Sequence, residues 1–471
     1  MRPLLPHRPT FTQELGATAH LAAPIALAMI AQLGMGVTDT IMLGALGRDA
    51  LGAGGLGAAS FFVSCSVVQG MLSSAAILIA HARGGQNEAR IVPVLRAGYA
   101  VALLSALPLM AMLWFAEPLL LLAGEPTALA ATVAPYVRVL ALATPAFMWM
   151  ATQRAFLSAM SRPRLIPFVS VGALVVNGLL NYGLIHGKWG LPEFGYIGSA
   201  MATAITIYLQ VIVMSLGMRL MRGLPRAKLM GAIAWHEARE ILHLGWAIAI
   251  TVGVESGVFF AAALLMGIIG PAALAAHQIT IQFAAMMFMV PMATGQAANV
   301  RVGFHAGAGA AQAAQRAGYA ALTLGAVFAI VAGGLIALFP ERIVALFGLD
   351  PTNPADAEVM ALAARLLVVC AAFQLADGAQ AIVLGALRGL KDTRAPMLIA
   401  SAGYWLIGFP AAWLFGLKLG YGGMGVWWAW ALALLVVAVL LLWRFQRVSN
   451  RARDGASIED AARMAFAPAV A

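Results

Sequence analysis

Three carboxylates stand where carboxylates are costly. Glu255 lies near the middle of the apolar run 241–270, ILHLGWAIAITVGVESGVFFAAALLMGIIG, while Asp39 and Asp377 sit inside two other apolar runs. A charged side chain at bilayer depth costs on the order of 3 kcal/mol, so such residues turn toward a protein interior or a wet cavity and mark ion and substrate sites. Two carboxylates sharing a low-dielectric interior repel each other, and a proton or a sodium ion relieves the pair. With a few carbonyls they also form a hard-oxygen set suited to such a cation. Glu255 and Asp377, both in the second half of the chain, are the expected cation-coupling pair, and Asp39 is a third such residue in the first half.

Neighbouring residues extend both groups. Phe373 precedes Asp377 by one helical turn and Gln374 by three residues, so both are expected to face the same region. Phe373 reads first as packing, with a π face available to a cation. Gln278 and Phe288 are further expected cavity-lining residues. In the first half, Asn177 and Asn181 have i, i+4 spacing and share one helix face, with Thr203 on the next segment as another oxygen ligand. They read either as an N-half site with Asp39 or as plain hydrogen bonds between helices. Pro24 frees backbone carbonyls and permits a helix bend. His186, His243 and His277 lie near segment ends without a metal-binding spacing and read as satisfied interfacial histidines. No transition-metal site is expected, only sodium at Glu255 and Asp377.

The elements that position these residues are membrane-spanning helices. The 471 residues are 62% hydrophobic and only 10% charged, and a mean hydropathy of +0.88 is far outside the range of soluble domains. Twelve apolar segments fall near 17–44, 52–80, 94–115, 130–157, 165–187, 196–218, 241–269, 273–300, 317–338, 359–386, 396–417 and 421–443. Each suits the roughly 20 residues that a spanning helix needs. If both termini are cytoplasmic, most of the 29 Lys and Arg fall on the cytoplasmic side, and only Arg48, Lys188, Arg342 and Lys418 fall in outer loops. A basic face opposite anionic lipid accounts for the net charge of +10 without nucleic acid.

The chain also repeats itself. His243-Leu244 falls on His20-Leu21 at an offset of 223, and Arg316-Ala-Gly-Tyr-Ala320 repeats Arg96-Ala-Gly-Tyr-Ala100 at an offset of 220. Six spans per copy give both copies one orientation, so the repeats are parallel. The expected organisation is a six-helix bundle over 1–218, a cytoplasmic linker over 219–240, a second bundle over 241–447 and a cytoplasmic tail over 448–471. Asp39 aligns with Ala262 and Glu255 with Gln32, so each half carries its own polar constellation.

Other classes find no support. Cys65 and Cys370 both fall in apolar runs, which leaves neither a disulfide framework nor a thiolate metal site. The stretch from Met1 to Glu14 is polar and Pro-rich, unlike a cleavable signal peptide. There is no P-loop sequence, Ser/His/Asp set or HExxH motif, so neither ATP as energy source nor enzyme catalysis is expected. No cofactor is expected beyond the coupling ion.

The residues resemble one family. Pro24 with Gly36-Val-Thr-Asp39-Thr-Ile-Met-Leu-Gly44, Glu255, Ala275-Ala-His277-Gln278-Ile279, Pro291-Met-Ala-Thr-Gly-Gln-Ala297, Val300-Arg-Val-Gly303, and Asp377 with Gly385-Ala-Leu-Arg388-Gly389-Leu-Lys391-Asp392-Thr393 look like the multidrug and toxic compound extrusion (MATE) family, NorM-like branch. The resemblance spans nearly the whole chain. It implies an all-α MATE/MOP-type fold of twelve transmembrane helices in two pseudo-symmetric six-helix bundles. It also implies an antiporter that exports organic cations and hydrophobic drugs in exchange for sodium or protons by alternating access. In the family, acids matching Glu255 and Asp377 are implicated in coupling, and an N-half site is built on the acid matching Asp39. Asn181 stands where some relatives carry a second acid, and Phe373 where some sodium-using relatives carry Tyr. The expected setting is a bacterial-type inner membrane, with drugs and lipids as partners and a monomeric state. A lipid-linked oligosaccharide flippase of the same superfamily is the alternative. A cationic central cavity would favour that alternative, whereas the intramembrane charges here are chiefly acidic.

Overall fold

Apolar runs of this length satisfy their backbone groups only as helices when no water is at hand, and the architecture follows that rule. The structure, a computed structural model, describes residues 9–225, 231–454 and Asp460. Residues 1–8 of the polar leader, 226–230 of the expected linker and most of the expected tail beyond Asp454 lie outside the described residues. In chain order the helices are α1 (Phe11–Gly44), α2 (Arg48–Leu72), α3 (Ser74–Gly84), α4 (Glu88–Trp114), α5 (Ala116–Leu122), α6 (Thr127–Ala141), α7 (Thr144–Ala159), α8 (Leu165–His186) and α9 (Tyr196–Leu220). They continue as α10 (Trp235–Ile269), α11 (Pro271–Gly307), α12 (Ala311–Leu338), α13 (Pro340–Ala345), α14 (Pro354–Gly389), α15 (Arg394–Ala402), α16 (Phe409–Trp413) and α17 (Gly422–Arg453). Two π-helical stretches, Gly403–Gly408 and Leu414–Lys418, flank α16 within one span. No strand occurs among the described residues.

Among the described residues, eleven helices are long and apolar enough to cross a membrane, or twelve when α6 and α7, bent by 49°, count as one span. Pro145 in the first turn of α7 explains that bend, because a proline cannot continue the preceding hydrogen-bond ladder. The chain is thus a multi-pass membrane protein of the expected all-α class. Residues of special backbone freedom set the stops. Gly187 closes α8 in the left-handed region at φ 62°, where a side chain would be strained, and Gly270 turns the chain at φ 151° before Pro271 opens α11.

The described chain packs as two compact units. One comprises Leu27–Arg83 and Asn87–Ala249, and the other comprises residues 9–26, Gly84–Gln86 and 250–454. The changes of unit fall inside helices: α1 passes between Ala26 and Leu27, and α10 passes between Ala249 and Ile250. Pro24, two residues before the first of these, lies inside a continuous helix. Buried charge fastens both leading segments. In the second unit Glu14, 0% exposed, accepts from Arg301 at 2.6 and 3.1 Å and lies 2.7 Å from His305 Nε2. In the first, Arg90 donates to both oxygens of Glu237 at 2.7 and 2.8 Å and also to Glu240. Glu237 falls on Glu14 at the same offset of 223 that aligns the repeats.

Small residues let α11 and α14 touch along the core of the second unit. A Cβ on Gly385 would overlap the Gly295 carbonyl oxygen, and one on Gly378 would stand 3.2 Å from Pro291. Close backbone approach of this kind drives helix association where lipid is as apolar as leucine. It fixes the rotation of α14, and with it the direction of Asp377.

Candidate functional site

In the first unit α1, α8 and α9 bring the expected N-half residues together. Asn181 donates to Asp39 Oδ1 at 2.7 Å and Thr203 to Asp39 Oδ2 at 2.9 Å, while Asn177 donates to Thr203 at 3.3 Å. All four are nearly or fully buried. The i, i+4 spacing on α8 aims both asparagines at one spot, and Asn181 also donates to the Asn177 carbonyl at 3.0 Å. Asp39, Thr203 and Gln32 line one small cavity. Gln32, the repeat equivalent of Glu255, accepts from Arg154 at 2.6 Å.

In the second unit α10 and α14 carry the two remaining acids. Asp377 is buried at 3% exposure, and Glu255 is half-buried and lines an internal cavity. Their charges interact with each other, and that of Glu255 also interacts with Arg388. Phe373 lines the same cavity with Tyr404, Trp427 and Trp430. Phe259 packs against Phe373 at 6.4 Å between ring centroids, and Phe373 against Trp427 at 5.3 Å, both edge to face. Only about one water-sized guest fits the free space between these walls. The walls are mostly apolar, and the free space has no room for a drug-sized molecule.

The other expected residues are placed differently. Gln374 is buried and donates to the Ala284 carbonyl at 2.6 Å, so it ties α14 to α11. Gln278 is exposed and Phe288 half-buried, and neither lines the cavity. The expectation for His277 is corrected: it is not interfacial but 3% exposed, set in the cavity wall and edge-on to Trp427 at 5.7 Å. Its neighbour Gln278 takes the outward direction because successive helix residues diverge by about 100°. His186 is half-buried beside Tyr182, and His243 is exposed.

Sequence reasoning missed several members. Arg154 and Arg388 lie inside α7 and α14; Arg154 falls within the apolar segment 130–157, and Arg388 belongs to a helix that runs on past the segment 359–386. Glu14, at the end of the polar, Pro-rich leading stretch, is fully buried. Gln380, 0% exposed on α14, and Tyr404, 1% exposed on a π-helical stretch, were not singled out. A polar residue inside an apolar run was the available signal for Gln380. Tyr404 had none, since aromatic residues are common in spans.

A family model, MatE, matches residues 24–183 and 247–414, most of the chain. The chain belongs to the MATE family. It is 47% identical over 453 residues to a protein of Burkholderia mallei named "Probable multidrug resistance protein NorM", covering 94% of each chain. It is 46% identical over 441 residues to "Multidrug resistance protein NorM" of Burkholderia vietnamiensis, covering 93% of this chain and 95% of that one. The eukaryotic MATE transporter AtDTX14 superposes with a TM-score of 0.83 at 22% identity, over 97% of this chain and 98% of its own. The expected fold class is therefore correct, and the MATE family is one of transporters rather than enzymes.

Proposed function

We propose that this MATE protein is a cation-coupled antiporter that exports organic cations and hydrophobic drugs by alternating access. The observation that carries the proposal is the pair Glu255 and Asp377, one half-buried and one buried carboxylate of one bundle whose charges are within range of each other. Glu255 lines a cavity too small for a drug. The relatives named for multidrug resistance supply the substrate class. Glu255 and Asp377 take the coupling ion, sodium or proton. Asp39, held by Asn181 and Thr203, is a second acidic site in the other bundle, with Asn177 behind Thr203. Pro24 serves as the flexible point of α1.

Ion binding neutralises buried charge and favours one conformer, drug binding favours the other, and the difference in affinity drives exchange. In this reading the protein sits as a monomer in a bacterial inner membrane with both termini cytoplasmic, and its basic face contacts anionic lipid. The test is drug efflux from proteoliposomes under imposed sodium or pH gradients, for the native protein and for Glu255→Gln and Asp377→Asn. Loss of gradient-driven efflux in both variants is expected. Unchanged efflux in both would remove the pair from the mechanism.

A further inference from the structure

Two side chains outside the coupling pair stand beside it. Gln380 follows Asp377 by three residues on α14, so the two share a face, and Tyr404 lies on the π-helical stretch Gly403–Gly408. The Tyr404 hydroxyl approaches the Gln380 amide and lies within range of the charges of Glu255 and Asp377. Apart from that approach of Tyr404 and Gln380 to each other, Tyr404 Oη, Gln380 Oε1, Gln380 Nε2 and Asp377 Oδ1 meet no hydrogen-bond partner among the described residues. Leaving a buried donor or acceptor unmet is costly, so several in one place ask for an explanation. The backbone gives a second pointer, because π-helical turns are rare and concentrate at functional sites.

The unmet oxygens comprise a carboxylate, an amide carbonyl and a phenol, which together form a hard-oxygen set that prefers a hard cation to a soft one. Charge sets the number. Glu255 and Asp377 are offset by one guanidinium, Arg388, whose charge interacts with Glu255. With both acids ionised, one negative charge is left over, and one monovalent cation neutralises it. A proton needs a single carboxylate oxygen, whereas a metal cation needs neutral oxygens as well.

We propose that Gln380 and Tyr404 complete a sodium site with Asp377 and Glu255, contributing the amide carbonyl and phenol oxygens as neutral ligands to one ion per transport cycle. This rests on the reading of Glu255 and Asp377 as the coupling pair. The test measures ethidium efflux from proteoliposomes against sodium concentration, together with radioactive sodium binding to the purified protein. Tyr404→Phe and Gln380→Leu keep the shape and remove the ligand oxygen. Each is expected to raise the sodium concentration for half-maximal efflux about tenfold, with ethidium affinity unchanged. Retained ethidium binding certifies the fold, and if one variant loses it the other decides. A sodium dependence within about twofold of native in the folded variants overturns the proposal, as does native efflux that a pH gradient drives without any sodium dependence. Glu255→Gln and Asp377→Asn separate the two ideas. If they keep coupling, the reading of the pair fails. If they lose it while Tyr404→Phe and Gln380→Leu leave sodium dependence intact, only the extended site fails.

Discussion

Arg301 grips Glu14 across 287 residues of chain, with Nη2 at 2.6 Å from one carboxylate oxygen and Nε at 3.1 Å from the other. Because Glu14 has no exposed surface, removing the guanidinium would leave its carboxylate with only His305 Nε2, at 2.7 Å, of its two basic partners, a loss of about 3 kcal/mol, at the low end for a broken buried pair. Arg301→Met is expected to lower the melting temperature in detergent sharply. The double variant Glu14→Leu/Arg301→Met should recover part of the loss, since an apolar pair replaces a buried ion pair at little cost while the buried His305 gives up its contacts with both residues. A single variant as stable as the native protein would show that the pair holds nothing.

The matching fastening in the other unit is wetter. The side chain of Arg90 is 25% exposed and that of Glu240 23%, so solvent and salt screen them more than they screen Glu14. Arg90→Gln should therefore cost less than Arg301→Met, and its effect should shrink as salt is raised. Equal losses at both sites, insensitive to salt, would contradict this ordering.

Asp39 takes one hydrogen bond from Asn181 and one from Thr203, at 2.7 and 2.9 Å. Asn181→Ala and Thr203→Val each remove a donor to the carboxyl, worth roughly 1.5–3 kcal/mol if the group is charged. If Asp39 works in transport, ethidium efflux per folded molecule falls in both variants and in Asp39→Asn. If the cluster only packs, melting temperatures fall while efflux per folded molecule holds. Efflux assays normalised to correctly folded protein distinguish these outcomes.

Gly385 faces the Gly295 backbone with no room for a methyl group, whereas a Cβ on Gly334 would meet nothing within 4 Å. Gly385→Ala is expected to destabilise by about 1–3 kcal/mol through overpacking. Gly334→Ala should be neutral or stabilising by about 0.5–1 kcal/mol, as for any glycine replaced in an open helix position. Thermal unfolding of the two variants side by side checks the contrast.

The spans were legible because hydropathy over some twenty residues is a strong, local signal. The Asp39, Asn177, Asn181 and Thr203 cluster was legible for a related reason: polar side chains in apolar runs find one another. Distance hid the rest. Nothing near Glu14 in the sequence announces Arg301, and an acid in a first helical turn reads as an ordinary helix start. His277 lies only seven positions into α11, which suggested an interface, but its direction depends on how α11 turns against α14 and α17. Arg388 stands two residues past the apolar segment 359–386 yet still inside α14, so hydropathy alone hides the counter-charge beside Glu255.

The crossings of α1 and α10 between units have a consequence for how the gene could be divided. The unit built mainly from the first repeat uses 241–249 from the second, and the unit built mainly from the second uses 9–26 from the first. Severed between the repeats, neither fragment would carry all of its own bundle, so each made alone should be prone to degradation. Made together, the fragments should rescue one another, each supplying the leading part of a helix that the other unit includes.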